Sequence, residues 1–270
     1  MKKILSMLII ISLAVSSVAF AITEKIDIDK YLLGMGTPLE IVEKMSEEVK
    51  VDIVNFDLSQ KEKGYFGGAS ITRSCAEGKE NSNETTFIKE FDSNGDVVFE
   101  TPCSKGTIDN SDLELIMTHY NYSNYISVHL NYKWLNEGEP FYRFQDPIAV
   151  TWDNDYFRYI TGTFQRYDNA KEYTGTIIRR SGTTLSELDN EGLGWHADLI
   201  GPTGAYQSNY GYGKFQLEKK AASANTELYY KYAHIKQPGT FTINILGYGS
   251  VSFSGGSNYD TQANNYYLCY

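Results

Sequence analysis

The sequence has little histidine, cysteine and proline: its 270 residues include 4 His, 3 Cys and 6 Pro. It also lacks a CxxC or HExxH pair, a glycine-rich phosphate loop and a nucleophile elbow, the short motifs of many metal sites and active sites. These absences exclude the enzyme classes that such motifs define. They favour a non-catalytic protein, with catalysis by residues from distant parts of the chain as an alternative.

Long apolar runs are missing after the first residues, and no later segment approaches the ~20 consecutive apolar residues of a transmembrane helix. At the start of the chain, two lysines precede an apolar run over 4–15, and Ala19-Phe20-Ala21 is a small-x-small cleavage site. Residues 1–21 are therefore predicted to be a signal peptide. The mature protein is predicted to begin at Ile22 and to be secreted to the cell exterior.

Positive charge is in the minority, with 24 Lys and Arg against 34 Asp and Glu. The predicted signal peptide contains two lysines and no acid, so the mature chain has 22 basic and 34 acidic residues and a formal net charge of −12. A chain this acidic repels nucleic-acid phosphates and anionic lipid heads. No nucleic-acid partner is expected, while divalent cations and neutral or basic partners remain open.

The three cysteines are Cys75, Cys103 and Cys269. Export permits a disulfide, and Cys75 and Cys103 flank a predicted hairpin, so their pairing is expected, with Cys269 left free. Three unpaired thiols are the alternative, because connectivity cannot be read from sequence.

Capping signals predict two short helices within a helical segment over 22–60. Thr37 is a candidate N-cap, followed by Pro38 at the first helical position and Glu40 at the third. Ser46 is a second candidate N-cap. Each helix is too short to be stable alone, so the two are expected to form a docked hairpin.

Residues 30–54, KYLLGMGTPLEIVEKMSEEVKVDIV, resemble the N-terminal part of uncharacterised secreted proteins of Gram-positive bacteria. The resemblance covers about 25 residues and includes no catalytic motif. It implies a bacterial, exported protein and carries over no function.

Strand and turn signals follow, starting with a hairpin-containing region over 61–115. The Asn94-Gly95 turn separates apolar runs over 87–91 and 97–99, a strong hairpin signal. The Ser111-x-x-Glu114 pattern predicts one short helix through Met117.

A tyrosine-rich region over 116–270 holds 20 of the 22 tyrosines. Residues 126–134 alternate in polarity, so that His129 is expected on a solvent-facing side. In 241–254 the apolar residues are odd-numbered and the Ser, Thr and Asn residues are even-numbered, which predicts a hairpin with the three-residue loop 247–249. Several short strands at such spacing predict a mainly β fold: an antiparallel, jelly-roll-like β-sandwich with a short N-terminal helical hairpin.

Tyr206, Tyr210 and Tyr212 share parity and form the candidate binding surface. In a regular strand they face solvent, since Phe215 and Leu217 have the opposite parity and are expected in the core. Exposed tyrosines suit stacking on sugar rings or on a protein. A bulge at a neighbouring glycine, which would turn the rings inward, is the alternative.

Two polar groups are candidate chemical sites. His196 and Asp198 lie two residues apart, on one face of a strand, and are weak candidates for acid–base chemistry. Asp92, Asn94 and Asp96 place oxygen ligands in a tight turn, which suggests calcium as the only candidate cofactor. Surface or structural roles and ordinary turn chemistry are the respective alternatives.

The sequence predicts a secreted, non-catalytic binding protein that acts at the cell exterior on glycan or cell-envelope material. A secreted toxin or antibacterial protein is the alternative, because the alternating 240–254 segment suits a membrane-inserting hairpin. An extracellular hydrolase, with His196 and Asp198 as its candidates, is the third hypothesis.

Overall fold

The chain divides into two compact units, each with most of its residue contacts inside itself, and the boundary lies between Tyr65 and Phe66. The structure is a computed structural model. It describes residues 26–73, 88–101, 108, 112–135, 140, 142, 144–201, 206–237, 239, 241–255 and 258–270. The predicted signal peptide, Cys75 and Cys103 lie outside the described residues, so the predicted disulfide stays a prediction.

The described part of the first unit has three short helices where capping signals predict two. They are α1 Ile28–Gly34, α2 Leu39–Lys44 and α3 Glu47–Ser59. Helix α1 begins after Asp27, whose carboxylate accepts a hydrogen bond from the Lys30 amide at 3.0 Å. Helix α2 begins one residue later than predicted, because Pro38 keeps an extended ψ of 144° and is itself the N-cap. Among the described helices, none has the length and apolar character needed to cross a membrane.

Two buried polar residues of α3 connect it to the rest of the first unit. Lys50 Nζ lies 2.7 Å from the Asp29 carboxylate of α1. The Asp57 carboxylate accepts hydrogen bonds from the Tyr31 hydroxyl at 2.7 Å and from the Gly64 amide at 2.6 Å. Helices of this length need such contacts because they are marginal in isolation.

The second unit is built from antiparallel strands, which confirms the predicted fold class. They are β1 Tyr65–Arg73, β2 Ile88–Phe91, β3 Val97–Thr101, β4 Leu113–Asn121, β5 Tyr125–Trp134, β6 Gln145–Trp152, β7 Phe157–Tyr159, β8 Gln165–Glu172, β9 Ile177–Gly182, β10 Glu187–Asp189, β11 Gly192–Asp198, β12 Tyr206–Lys219, β13 Asn225–Ile235, β14 Thr242–Ile245, β15 Val251–Ser254 and β16 Tyr259–Cys269. The larger sheet has nine strands in the order β3-β2-β1-β4-β5-β12-β8-β9, with β7 paired to β12. The second sheet has five strands in the order β10-β11-β6-β13-β16, and β14 and β15 form a separate pair.

The two larger sheets enclose one aromatic-rich core. Trp152 of the five-stranded sheet lies 6.0 Å from Phe215 of β12, measured between ring centroids. Tyr132 of β5 lies 5.9 Å from Tyr232 of β13. Gly213 gives Trp195 room, since a Cβ there would lie 2.5 Å from the indole ring. Burial of this apolar surface is the main stabilising term of the sandwich.

Two expectations for the centre of the larger sheet are wrong. Residues 113–117 of the predicted helix from Ser111 to Met117 lie in strand β4, while Ser111 is outside the described residues. All residues of β4 are buried, so the strand has no solvent-facing side that would show period-two alternation. The polar side of β5 is largely shielded from solvent: His129 is 1% exposed, and Lys133 is the exposed residue on that side. Alternation in polarity therefore does not mark solvent here, because polar side chains are buried in this sheet.

Both predicted hairpins are confirmed. Strands β2 and β3 pair around the Asn94-Gly95 turn, where Gly95 has a φ of 81°. In the last hairpin Ile245 pairs with Val251 and Ile243 with Phe253, as parity predicts. Its loop is closed by a 3.0 Å hydrogen bond from the Leu246 amide to the Ser250 carbonyl.

Candidate functional site

Strands β8 and β12 bring three tyrosines to one face of the larger sheet. Tyr212 pairs directly with Tyr167, and Tyr210 lies two residues earlier on the same side of β12. The rings of Tyr167 and Tyr212 stack, with centroids 4.9 Å apart and planes 22° from parallel. Tyr167 and Tyr210 are half-buried and still present part of each ring to solvent. We call these three residues the tyrosine face.

The prediction that Tyr212 faces solvent is wrong, since it is 2% exposed. The strand is regular at this point, and the ring of Tyr167, from the neighbouring strand, stacks on Tyr212. Sequence reasoning missed Tyr167 because the pairing of β8 with β12 is not encoded locally. The alternating Gln165, Tyr167 and Asn169 were the available signal.

Tyr206 is separated from the other two tyrosines of β12 by a register shift. The shift lies between Tyr206 and Ser208, where β12 pairs with β8. The predicted alternative, a bulge at a nearby glycine, is wrong, since the ladder to β5 runs regularly from Tyr210 to Glu218. The side chain of Tyr206 lies outside the described part of the structure. Its place in the binding surface stays a prediction.

Basic residues surround the tyrosine face. Lys133 of β5 pairs directly with Tyr210, and Lys214 follows Tyr212 on the same side of β12. On β9, Arg179 pairs with Asn169, the β8 residue opposite Tyr210. Lys133 and Arg179 are exposed. Positive charge therefore lies beside the aromatic rings, in a chain whose formal net charge is −10. One acid is also close, since the buried Glu114 of β4 pairs with Lys133.

The candidate acid–base pair is held by two separate partners. His196 Nδ1 lies 2.6 Å from the Ser186 hydroxyl. The Asp198 carboxylate accepts a hydrogen bond from Arg180 at 2.6 Å. Burial lowers the pKa of His196, so its imidazole is neutral at neutral pH. Acid–base chemistry by this pair stays a prediction.

A buried polar network that the sequence did not reveal lies inside the sandwich. Asp146 is fully buried, and its carboxylate accepts hydrogen bonds from the Ile235 amide at 2.9 Å and the Tyr232 hydroxyl at 2.5 Å. His234 Nδ1 lies 3.0 Å from the same carboxylate. These are residue types that catalysis uses, yet here they satisfy one another in the core. Their contacts hold β6 to β13.

A second buried carboxylate lies on β8, on the opposite side of the strand from Tyr167. Asp168 accepts a hydrogen bond from the Tyr132 hydroxyl at 2.8 Å and pairs with Arg166. Burial raises the pKa of Asp168 to about 6, and the Arg166 guanidinium opposes that shift. Asp168 thus connects β8 to β5 across β12.

In the candidate calcium turn, the first carboxylate, that of Asp92, accepts hydrogen bonds from backbone amides of the same turn. Asp92 Oδ1 accepts hydrogen bonds from the Asn94 amide at 2.9 Å and the Asp96 amide at 3.0 Å. This is the ordinary turn chemistry of aspartate. Within the described ranges, no group of three or more His, Cys, Asp or Glu residues is placed to hold a metal ion. Calcium binding at this turn stays a prediction.

No protein-family model and no curated protein matches the chain. Among solved structures, it is similar to the C-terminal domain of the Streptococcus agalactiae antigen I/II polypeptide BspA, with 8% identity, a TM-score of 0.32, and 66% of this chain and 56% of that chain covered. It is also similar to the C-terminal domain of the Streptococcus pyogenes antigen I/II-family protein AspA, with 11% identity, a TM-score of 0.30, and 66% and 53% covered. A structure titled pore forming protein matches with 8% identity, a TM-score of 0.31, and 70% and 97% covered. The chain spans about half the length of the antigen structures, and these similarities assign it to no family.

Proposed function

We propose that the protein is a secreted, non-catalytic binding protein, and that its tyrosine face binds extracellular glycan. The observation that supports the proposal is the stacked pair of Tyr167 and Tyr212, with the half-buried Tyr210 beside it. The predicted signal peptide supports action outside the cell.

The geometry of the face supports a sugar ligand. The buried ring of Tyr212 stacks on the ring of Tyr167 and restricts its motion before a ligand binds. Less conformational entropy of Tyr167 is therefore lost on binding. A partly exposed tyrosine offers an apolar ring face and a hydroxyl, which suit the C–H face and the hydroxyls of a sugar.

The basic residues around the rings favour an acidic glycan. Lys133 and Arg179 lie within one or two strands of Tyr210 and provide charged hydrogen-bond donors. Carboxylate-bearing or phosphate-bearing envelope polysaccharides match this combination better than neutral ones. The acidic remainder of the chain steers such a ligand toward this face.

The test is co-sedimentation with insoluble polysaccharides. The chain without its predicted signal peptide is mixed with peptidoglycan carrying its acidic polymers, with the same material stripped of them, and with cellulose. We expect binding to the first, at least about tenfold weaker binding by a Tyr167→Ala/Tyr210→Ala variant, and weakening by salt.

Tyr267→Ala is the matched control, because Tyr267 is 47% exposed and lies on the other sheet. It should bind as the parent does. Failure of the parent to sediment with any of the three materials contradicts the proposal, and so does equal binding by a folded Tyr167→Ala/Tyr210→Ala variant.

A further inference from the structure

The chain from 237 to 259 contains no Asp, Glu, Lys or Arg over 23 residues. It is the longest such stretch in the sequence, in a protein whose composition is 21% charged. Lys236 and Asp260 border it and form an ion pair with each other. The absence of charge is therefore confined to one defined segment, which contains β14 and β15. We call residues 237–259 the uncharged hairpin.

The uncharged hairpin is a bent continuation of a longer one. Strands β13 and β16 pair up to Ile235 and Tyr259, and the Lys236 amide donates to the Asn258 carbonyl at 3.0 Å. Strands β14 and β15 then pair as a separate two-stranded sheet. Gly239 and Gly255, with a φ of 116° at Gly255, lie where the two ladders part. The outer part can thus straighten without breaking a β13–β16 hydrogen bond.

The apolar side of the uncharged hairpin rests on small residues of the five-stranded sheet. Ile243, Val251 and Phe253 are buried in one cluster with Ala149 and Ala233. Two glycines of β11 also lie beneath the hairpin. A Cβ at Gly194 would lie 2.8 Å from Ile243, and one at Gly192 would lie 3.0 Å from Ile245. These small side chains offer less apolar area than large ones would. Tyr229 also packs against the cluster, and Lys231 Nζ donates to the Val251 carbonyl at 3.2 Å.

The tip of the uncharged hairpin contacts the five-stranded sheet through polar groups, which include hydrogen bonds of the Tyr248 side chain to Thr226 and to the Glu227 backbone, and it carries exposed apolar residues. The Tyr248 amide donates to the Glu191 carboxylate at 2.8 Å, and the Gly249 amide donates to the Thr151 hydroxyl at 3.0 Å. Leu246 is 66% exposed and Tyr248 is 40% exposed. The part that meets another surface first is therefore apolar and aromatic.

We propose that the uncharged hairpin detaches from the five-stranded sheet, straightens, and inserts into a neutral phosphatidylcholine bilayer. Its two arms, 237–246 and 250–259, have ten residues each, and a transmembrane β-strand needs about 9–11. Phe241, Ile243 and Ile245 then face lipid, while Thr242 and Asn244 face water. Tyr248 and Tyr259 lie at the two ends of the arms, where transmembrane barrels carry aromatic residues.

Insertion requires several copies of the chain. A single hairpin in lipid leaves two unpaired edges, so the arms must close into a barrel. The smallest common barrels have about eight strands, which corresponds to about four hairpins. The acidic net charge directs the protein to neutral rather than anionic lipid. This activity is separate from glycan binding and uses a different sheet.

The first test is release of a trapped dye from phosphatidylcholine vesicles, with the hairpin locked by a disulfide. In a Gly194→Cys/Ile243→Cys variant, the new cysteines lie where a Cβ of residue 194 would contact residue 243. We expect the parent to release dye with a steep concentration dependence. The oxidised variant should release at least about tenfold less, and reduction should restore release. The parent, assayed with and without reductant, controls for its own cysteines.

A second pair of variants changes exposed residues, so that folding is preserved. Leu246→Asp puts a charge on the tip that must cross the bilayer, and release should fall at least about tenfold. Thr242→Asp puts the same charge on an exposed residue of the water-facing side and should leave release nearly unchanged. The proposal is overturned if the parent releases no dye, if the locked protein releases as much as the reduced one, or if the two aspartate variants behave alike.

Discussion

Glu90 is a carboxyl group that the fold buries, since it is 8% exposed. Burial raises its pKa from the ordinary 4.5 to about 7, while hydrogen bonds from the Tyr267 amide and the Asn264 side chain oppose the shift. Because the folded state holds this proton more tightly than the unfolded state, the stabilising contribution is complete below pH 4.5 and is lost as pH rises through about 7. At higher pH the folded protein contains a buried carboxylate.

Glu90→Gln should therefore stabilise the protein at alkaline pH. The neutral amide keeps the shape of the carboxyl group and removes the cost of ionising it, so the free energy of unfolding at about pH 8 should rise by up to ~3 kcal/mol. At about pH 4 the two proteins should be nearly equal. Urea unfolding at both pH values measures this. A variant that is less stable than the parent at about pH 8 would show that the carboxylate is well solvated.

At the residue scale, the sequence predicted composition-level features but not burial. Parity predicts that His129 and Tyr212 face solvent, and both are buried. Parity fixes which side of a strand a residue occupies, and it cannot show whether another part of the chain covers that side. Tyr167 and Asp146 have unremarkable sequence neighbours, and their importance arises from partners 45 and 88 residues away, Tyr212 and His234.

At the element scale, the contact between β11 and β14 depends on the missing side chain of Gly194. An added Cβ would lie 2.8 Å from the Ile243 Cδ1 and Cγ2 atoms, so Gly194→Ala forces the hairpin outward or strains Ile243. Overpacking of this kind costs about 1–3 kcal/mol. The free energy of unfolding of Gly194→Ala should fall by that amount.

Ile243→Ala removes the atoms that the new methyl group would meet. In a double-mutant cycle, Gly194→Ala/Ile243→Ala should be at least ~1 kcal/mol more stable than the sum of the two single effects. Denaturant unfolding of the four proteins gives this coupling. Strict additivity would mean that the hairpin adjusts its position freely and that the two residues do not determine its docking.

Sequence patterns predict a secondary-structure element correctly where the element depends on only a few neighbouring residues. The Asn94-Gly95 turn and the parity of 241–254 fixed two hairpins and their registers, since the loop length determines which residues face each other. The capping pattern at Ser111 and Glu114 failed because β4 lies between β1 and β5 with both faces buried. In such a strand tertiary burial outweighs a capping contribution of about 1 kcal/mol.

At the scale of the whole molecule, the net charge can be counted from the sequence, whereas the position of each charge on the surface depends on the strand order. The net charge follows from a count, but the basic residues around the tyrosine face come from β5, β9 and β12, which are neighbours or near neighbours in one sheet. That order brings together residues up to 81 positions apart, such as Lys133 and Lys214. No periodic pattern predicts it, because sheet order is set by long-range packing.

At the scale of the second unit, two buried histidines and two buried carboxyl groups make opposing contributions to the pH dependence of stability. Burial lowers the pKa of His119 and of His129 from 6.5 to about 3. Burial raises the pKa of Glu90 to about 7 and that of Asp168 to about 6. The histidine contributions are complete above pH 6.5 and are lost on acidification, while the carboxyl contributions are gained on acidification.

Between about pH 6 and pH 4.5 each group contributes a slope of up to ~1.4 kcal/mol per pH unit, so the two pairs nearly cancel. The carboxyl pair should therefore flatten the pH dependence of the parent's free energy of unfolding over this range. A Glu90→Gln/Asp168→Asn variant has lost the carboxyl pair, so its stability should fall toward acid by up to ~2.7 kcal/mol per pH unit, whatever its absolute stability. Urea unfolding at several pH values measures both slopes. Parallel profiles for the two proteins would mean that the buried carboxyls titrate normally, because only a shifted pKa couples protonation to folding.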